Sequence, residues 1–493
     1  MNFHIVTLGC PKNEVDSEGM EVLLVEAGHR PVANFSDADL IVVNTCGFID
    51  DARVEALSVL KEMAAKKPPG AYLVAAGCLA QREGESLARK VPGVDAVLGC
   101  RNWTDIAKIV DLMSEPSEAE ENIPSPASTS LLGRRGRKSL LFPPGKKRHQ
   151  TVHPIRLGGT GKMARGCGVL TIVGDDLQLG MARRSPKGTT AYLKISDGCD
   201  ASCTFCIIPA IKGRYRSKPV GQVLAEAQQL VEGGVLEIIL VGQDTTAYGL
   251  DLGERDGLPT LLRRIVETVP DLPWLRVLYL YPQRITDRLI RTISDLRQIC
   301  RYLDIPLQHT HPATLRRMGR PQNDVVGLVS RLRDAIPDVA VRTTFIVGFP
   351  GETEDEHRHL LQTIEKVGFD RVGVFTFSPQ KGTRAAKLPG RVSEVTKQRR
   401  WREAMEVAQK VSLSKNRGLV GRELEVLVEG EGEGRDGNRI MAGRSYRDAP
   451  EVDGLVFFSG DAERGKLVKV RVTGAMEYDL VGELVGRNGD GEG

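Results

Sequence analysis

Residues 196–206 read SDGCDASCTFC and set Cys199, Cys203 and Cys206 in a C-x3-C-x2-C array directly after the apolar run YLKIS (192–196). A short loop with this spacing can bring three thiolates around one metal centre. Structural zinc would want a fourth Cys or His close by, and residues 207–218 contain neither. A cubane iron-sulfur cluster held by three cysteines leaves one iron open to a small molecule. The array therefore points to a reactive iron-sulfur centre at the end of a strand.

Outward from this loop, YLKIS, EIILVG, LRVLYL, YLDIPL, VRTTFIVGF and RVGVFTF alternate with helix-like stretches between Tyr192 and Ser378. Six strands with covering helices predict a partial or complete β/α barrel, with its site at the carboxyl ends of the strands. Upstream, IVTLG, LIVVN, LVAAG and AVLG alternate with SEGMEVLLVEAG and ARVEALSVLKEMAAK, the rhythm of a parallel sheet with covering helices. Cys10, Cys46 and Cys78 each follow one of these runs, and the carboxyl ends of parallel strands share one edge. Three cysteines far apart in sequence are thus expected to converge on a second centre. Cys100 ends the fourth run in the same way and is expected to be a bystander. Cys167 and Cys300 receive no role.

The chain has 493 residues, 41% of them apolar, and a net charge of +4 from 68 Lys+Arg and 64 Asp+Glu. Global disorder is excluded, and so is a uniformly basic nucleic-acid protein. No apolar run approaches the roughly 18 residues of a membrane span, and the first residues lack the marks of a signal peptide. A cytoplasmic protein without a membrane partner is expected. Nine cysteines, an odd number, favour metal or reactive thiols over a disulfide framework. The predicted organisation is an amino-terminal sheet domain (1–110), a disordered linker (111–185), the barrel (186–412), a small β-barrel (413–485) and a disordered tail (486–493). The linker begins DLMSEPSEAEENIPSPASTS and then turns basic, with no acidic residue from Arg134 to Arg165. From Leu413 to Gly493 there are 12 Lys+Arg against 16 Asp+Glu, a balance of 12 − 16 = −4. A module that holds RNA should be basic, whereas an acidic one suits a basic protein partner.

The C-x3-C-x2-C loop after the first barrel strand resembles that of the radical S-adenosylmethionine superfamily. The resemblance implies that S-adenosylmethionine chelates the open iron and is cleaved by one electron to methionine and a 5′-deoxyadenosyl radical. It further implies that Phe205 lies near the adenine and Gln243, in LVGQD, near the methionyl amino group. At the scale of the chain, GCPKNEVDSE, NTCGFIDDAR, RYLDIPLQH, RTTFIVGFPGETEDE and GRSYRDAPEVDG are similar to the methylthiotransferases of this superfamily, which carry a carboxyl-terminal TRAM domain. That likeness implies two 4Fe-4S clusters, one on Cys10, Cys46 and Cys78 and one on Cys199, Cys203 and Cys206. Its implied activity is addition of a methylthio group to the β-carbon of an aspartate in the twelfth small-subunit ribosomal protein, with an electron donor and a sulfur source as further partners. Two other functions fit parts of the pattern: a transfer RNA adenosine methylthiotransferase, and a non-enzymatic iron-sulfur sensor that binds ribosomes. Because all six cluster cysteines lie upstream of Leu413, removal of the last domain is expected to spare S-adenosylmethionine cleavage.

Overall fold

The computed structural model describes residues 1–114, the strands at 155–156, 162–166 and 169–173, and residues 188–486 apart from 323 and 434–436. The amino-terminal sheet is built from β1 (Asn2–Thr7), β2 (Arg30–Pro31), β3 (Leu40–Thr45), β4 (Tyr72–Ala76), β5 (Ala96–Gly99), β6 (Ile155–Arg156), β7 (Lys162–Gly166) and β8 (Val169–Val173). Their order is β2-β1-β3-β4-β5-β8-β7-β6. All neighbours as far as β8 are parallel, and the β8-β7-β6 meander is antiparallel. LIVVNT in β3 is buried at every position, as a strand covered on both faces must be. One face is covered by α1 (Pro11–Glu26), the other by α2 (Asp50–Lys66), α3 (Gly77–Glu83) and α4 (Glu85–Lys90).

The expected linker requires correction at both ends. Helix α5 (Ile106–Ser114) runs past its start. Farther on, β8 pairs with β5 and buries Leu170 and Ile172 in the sheet core, so apolar VLTIV extends the sheet instead of tethering it. The basic stretch up to Pro154, Cys167 and the tail from Arg487 lie outside the described residues.

The second sheet contains β9 (Thr190–Lys194), β12 (Glu237–Val241), β13 (Trp274–Val277), β14 (Ile299–Asp304), β15 (Ala340–Val347) and β16 (Arg371–Thr376), all parallel, while β10 (Ser196–Asp197) and β11 (Arg216–Ser217) form a separate two-stranded clip. These six strands are the six expected, and they make a partial barrel. One face, with Leu193, Ile238, Leu240, Leu275, Val341 and Phe345, packs on the helices. The alternate positions, including Tyr192, Ile239, Trp274, Cys300 and Tyr302, face inward and meet Leu427 and Ala449 of the last domain.

That last domain is a closed barrel of β17 (Glu423–Glu433), β18 (Arg439–Ser445), β19 (Val456–Ser459), β20 (Leu467–Ala475) and β21 (Leu480–Leu484), in the order β17-β18-β19-β21-β20. It is not a detachable appendage. Arg444 and Arg276 both bind Glu237, at 2.6 and 2.7 Å, and none of the three side chains is more than 1% exposed. Arg371 binds Asp448 at 2.6 Å, Arg447 binds Asp370 at 2.5 Å, and the Tyr302 hydroxyl donates to Asp453 at 2.6 Å. The charges of GRSYRDAPEVDG therefore close the inner face of the partial barrel.

Candidate active site between two cysteine arrays

Cys199, Cys203 and Cys206 occupy the loop beyond the clip. Gly198 precedes them at φ +75°, and a Cβ there would lie 2.1 Å from the Arg214 carbonyl oxygen, so the turn into Cys199 requires glycine. The Cys199 N–H donates to the Gly213 carbonyl (3.2 Å), and the Thr204 N–H and hydroxyl donate to the Met318 and Arg317 carbonyls (both 2.8 Å). The loop is thereby pinned while its three thiols stay partly exposed. Arg320 donates to the Cys203 Sγ at 3.7 Å and to the Pro306 carbonyl at 2.6 Å, and its guanidinium lies 4.3 Å from the centre of the Tyr281 ring. Burial raises Cys199 and pushes Cys206 up to about 12, so metal binding by these thiols would require them to shed protons.

Phe205 packs edge-on against Phe349, ring centres 6.5 Å apart, at the border of a cluster with Met318 and Phe377. Gln243 follows β12, and its Oε1 is buried with no hydrogen-bond partner among the described residues. A native buried acceptor is ordinarily satisfied, and this one fits a ligand's N–H.

The second array gathers as the parallel edge requires. Cys10 is the residue before α1, Cys46 follows β3 and Cys78 lies in the first turn of α3, after β4. Gly9, at φ +97°, brings the Cys10 loop so near that a Cβ would stand 2.7 Å from the Cβ of Cys46. Asn13 ties the loops together: its Nδ2 donates to the Leu8 and Thr45 carbonyls (2.9 and 3.1 Å), and its Oδ1 accepts from the Cys78 Sγ at 3.8 Å. Burial pushes Cys46 up to about 11. Cys78 is raised well above an ordinary thiol by its hydrogen bond with Cys100 and by burial. Among the described residues no three His, Cys, Asp or Glu side chains close on one point as a single-ion site needs; a cubane spreads its thiolates over separate irons.

The two arrays meet. Cys78 and Cys100 pack in one buried cluster with Ile207 and Ile211, and Ile207 is the residue after Cys206. Helix α6 (Ile208–Lys212) carries Ile211, and Arg101 donates to its Ala210 and Ile211 carbonyls at 2.9 and 2.8 Å. Beside this contact Asp16 of α1 binds Lys194 and Lys212, and both lysines also bind Asp197 (3.3 and 3.1 Å). Burial opposes ionisation of Asp197, but Lys212 and Lys194 outweigh it and hold that carboxyl below the usual range. Sequence reasoning missed Lys12, Asn13, Asp16 and Arg320. A signal for the first three existed: the buried stripe Leu24 and Met20 continues toward the amino terminus through Ser17, Asp16, Asn13 and Lys12, so a polar patch lies on a core-facing side of α1.

A partial β/α barrel with a three-cysteine loop after its first strand, flanked by a parallel-sheet domain and a closed β-barrel, defines a radical S-adenosylmethionine enzyme with two appended domains. Family models agree: residues 2–99 match the uncharacterized protein family UPF0004, 193–364 the radical SAM superfamily and 420–485 the TRAM domain. The radical SAM match implies a 4Fe-4S cluster and S-adenosylmethionine. Among solved structures, the radical S-adenosylmethionine methyltransferase TsrM from Kitasatospora setae shares the fold (TM-score 0.53, 16% identity, 77% of this chain and 76% of that one). The chain is 49% identical to the ribosomal protein uS12 methylthiotransferase RimO of Roseiflexus sp., over 98% of this chain and 97% of that protein. It is 48% identical to RimO of Chloroflexus aurantiacus, over 98% and 100%, and 39% identical to RimO of Geobacter sulfurreducens, over 98% of each. The chain belongs to the RimO family.

Proposed function

We propose that this chain is a radical S-adenosylmethionine methylthiotransferase that adds a methylthio group to the β-carbon of an aspartate in ribosomal protein uS12, with Cys199, Cys203 and Cys206 holding one 4Fe-4S cluster and Cys10, Cys46 and Cys78 a second. The observation that carries this reading is the packing of Cys78 and Cys100 against Ile207 and Ile211, because sulfur can pass between two centres only if they face each other. An aliphatic C–H beside a carboxylate is too weakly acidic for a side-chain base near neutral pH, so a radical route is needed. When bound, the two clusters and S-adenosylmethionine supply an electron, a hydrogen-abstracting carbon radical and the sulfur and methyl to be transferred. The chain's residues supply position. The Gln243 Oε1 would accept a hydrogen bond from the methionyl amino group, Phe205 would flank the adenine, and Arg320 holds the Cys203 sulfur. Ile207 and Ile211 shield Cys78 and Cys100 from water where the arrays meet.

The acidic last domain supports a basic protein as substrate over transfer RNA. An electron donor and a sulfur source complete the set of partners. The test is incubation of the reconstituted, reduced protein with S-adenosylmethionine, sulfide, small ribosomal subunits and transfer RNA. Mass spectrometry should find one methylthio group on a uS12 aspartate. The same group on an adenosine instead would overturn the assignment.

A further inference from the structure

Among the described residues five lysines are buried: Lys12, Lys194, Lys212, Lys218 and Lys397. Four of them hold a carboxylate, Lys194 and Lys212 on Asp16 and Asp197, Lys218 on Glu226 and Lys397 on Glu394. Lys12, only 8% exposed, has no carboxylate within ion-pair reach among the described residues. Its Nζ lies 3.5 Å from the Gly242 carbonyl oxygen, a loose contact, and 3.6 Å from the centre of the Tyr279 ring. An aromatic face lowers the cost of a buried cation without neutralising it, and an ammonium has three N–H donors. Those donors, met by one loose carbonyl contact and a ring face, leave the side chain able to hold an anionic ligand.

The position says which anion. Lys12 is two residues from Cys10, Gly242 immediately precedes Gln243, and Tyr279 follows the carboxyl end of β13, held at φ 62°, a left-handed conformation that is strained for tyrosine and typical of functional sites. The ammonium thus stands where the amino-terminal array meets the carboxyl ends of the barrel strands. We propose that Lys12 is the specificity residue that binds the side-chain carboxylate of the target aspartate and so sets its β-carbon between the two arrays. This rests on the aspartate reading above and extends it to a named contact.

The carboxylate of S-adenosylmethionine is the other source of the same chemistry, and the test separates them. Reconstituted full-length protein is titrated with S-adenosylmethionine, and with two peptides that copy the uS12 segment, one with the target aspartate and one with asparagine in its place. The unaltered protein should prefer the aspartate peptide by about 10-fold or more, as a charge-assisted contact gives. In Lys12→Met that preference should fall to within about 2-fold while S-adenosylmethionine affinity stays within the same margin, and Lys12→Arg should restore part of the preference because it restores the cation. Iron content and circular dichroism equal to those of the unaltered protein establish that the variants are folded. A Lys12→Met protein that keeps the aspartate preference overturns the proposal, and so does one that loses S-adenosylmethionine affinity, which would assign the cation to the cofactor. Failure of the aspartate reading itself has a different signature, an unaltered protein that binds neither peptide, and it would overturn both.

Discussion

Cys100 follows β5 as Cys78 follows β4, yet the two thiols stand in different company. Cys78 touches Asn13, which also ties the loops of Cys10 and Cys46. Cys100 is 1% exposed and meets Cys78, Ile207 and Ile211. Burial works to raise its pKa, but the hydrogen bond with Cys78 and the Lys212 ammonium outweigh it and bring it below that of an ordinary thiol. On the proposed assignment Cys100 is a neighbour of Cys78 and not a fourth ligand. Cys100→Ala is expected to keep the full iron content and to cost roughly 1–2 kcal/mol for the lost packing, whereas Cys78→Ala should lose the amino-terminal share of the iron. Iron counting after anaerobic reconstitution checks both, and half the iron lost in Cys100→Ala would make it a ligand. The grouping of the thiols into two sets of three was legible in the sequence, because the first set lies in one loop and the strand ends of a parallel sheet share an edge. Lys12 and Asp16 were not, since their meaning lies in partners brought by the fold: Asp16 and Lys194 are 178 residues apart.

Helix α1 docks the amino-terminal sheet on the barrel through a neutral buried group of two lysines and two aspartates, each at most 3% exposed. Removing one carboxylate leaves two ammoniums on the other, so Asp16→Asn is expected to cost about 3–5 kcal/mol, read as a lower midpoint in urea denaturation. An unchanged midpoint would mean that the interface is held by its apolar contacts alone. The helix Glu354–Val367 makes a second, pH-dependent contribution. His357 is buried on it, and burial outweighs the attraction of Glu403 and Glu352 and keeps its pKa below the usual 6.5. The unfolded chain binds that proton more readily, so the contribution is complete above pH 6.5 and is lost as the pH falls below it. Denaturation at a series of pH values should show stability falling from pH 7 toward pH 5, less steeply in His357→Gln. Elements with a clear period were readable in the sequence. The β8-β7-β6 meander was not, because VLTIV is a five-residue run inside a Gly- and Arg-rich stretch, and its place is set only by pairing with β5.

At the scale of the molecule, the last domain looked dispensable for cofactor chemistry because no cluster cysteine lies in it. Its contacts say otherwise. Truncation before Leu413 would take Arg444 from Glu237, the Tyr446 carbonyl from Arg276, Asp448 from Arg371 and Asp453 from Tyr302, and uncover the apolar inner face of the barrel. A truncated chain is therefore expected to aggregate or to lose S-adenosylmethionine cleavage, and full cleavage by a soluble truncation would refute the closure argument. The contribution of the acidic surface to partner binding has to be tested without breaking that closure. Glu425, Glu433 and Glu463 are exposed on the small barrel, and surface charges govern encounter rate more than stability. Replacing all three by lysine changes the net charge of the domain by +6 and is expected to leave its thermal midpoint nearly unchanged. Against a basic ribosomal protein it should lower kcat/KM by about 10-fold at low salt, with the two proteins converging as salt shortens the screening length to a few ångströms near 1 M. An equal kcat/KM at low salt would mean that the acidic face is only solvated, and that recognition lies wholly between the two cysteine arrays.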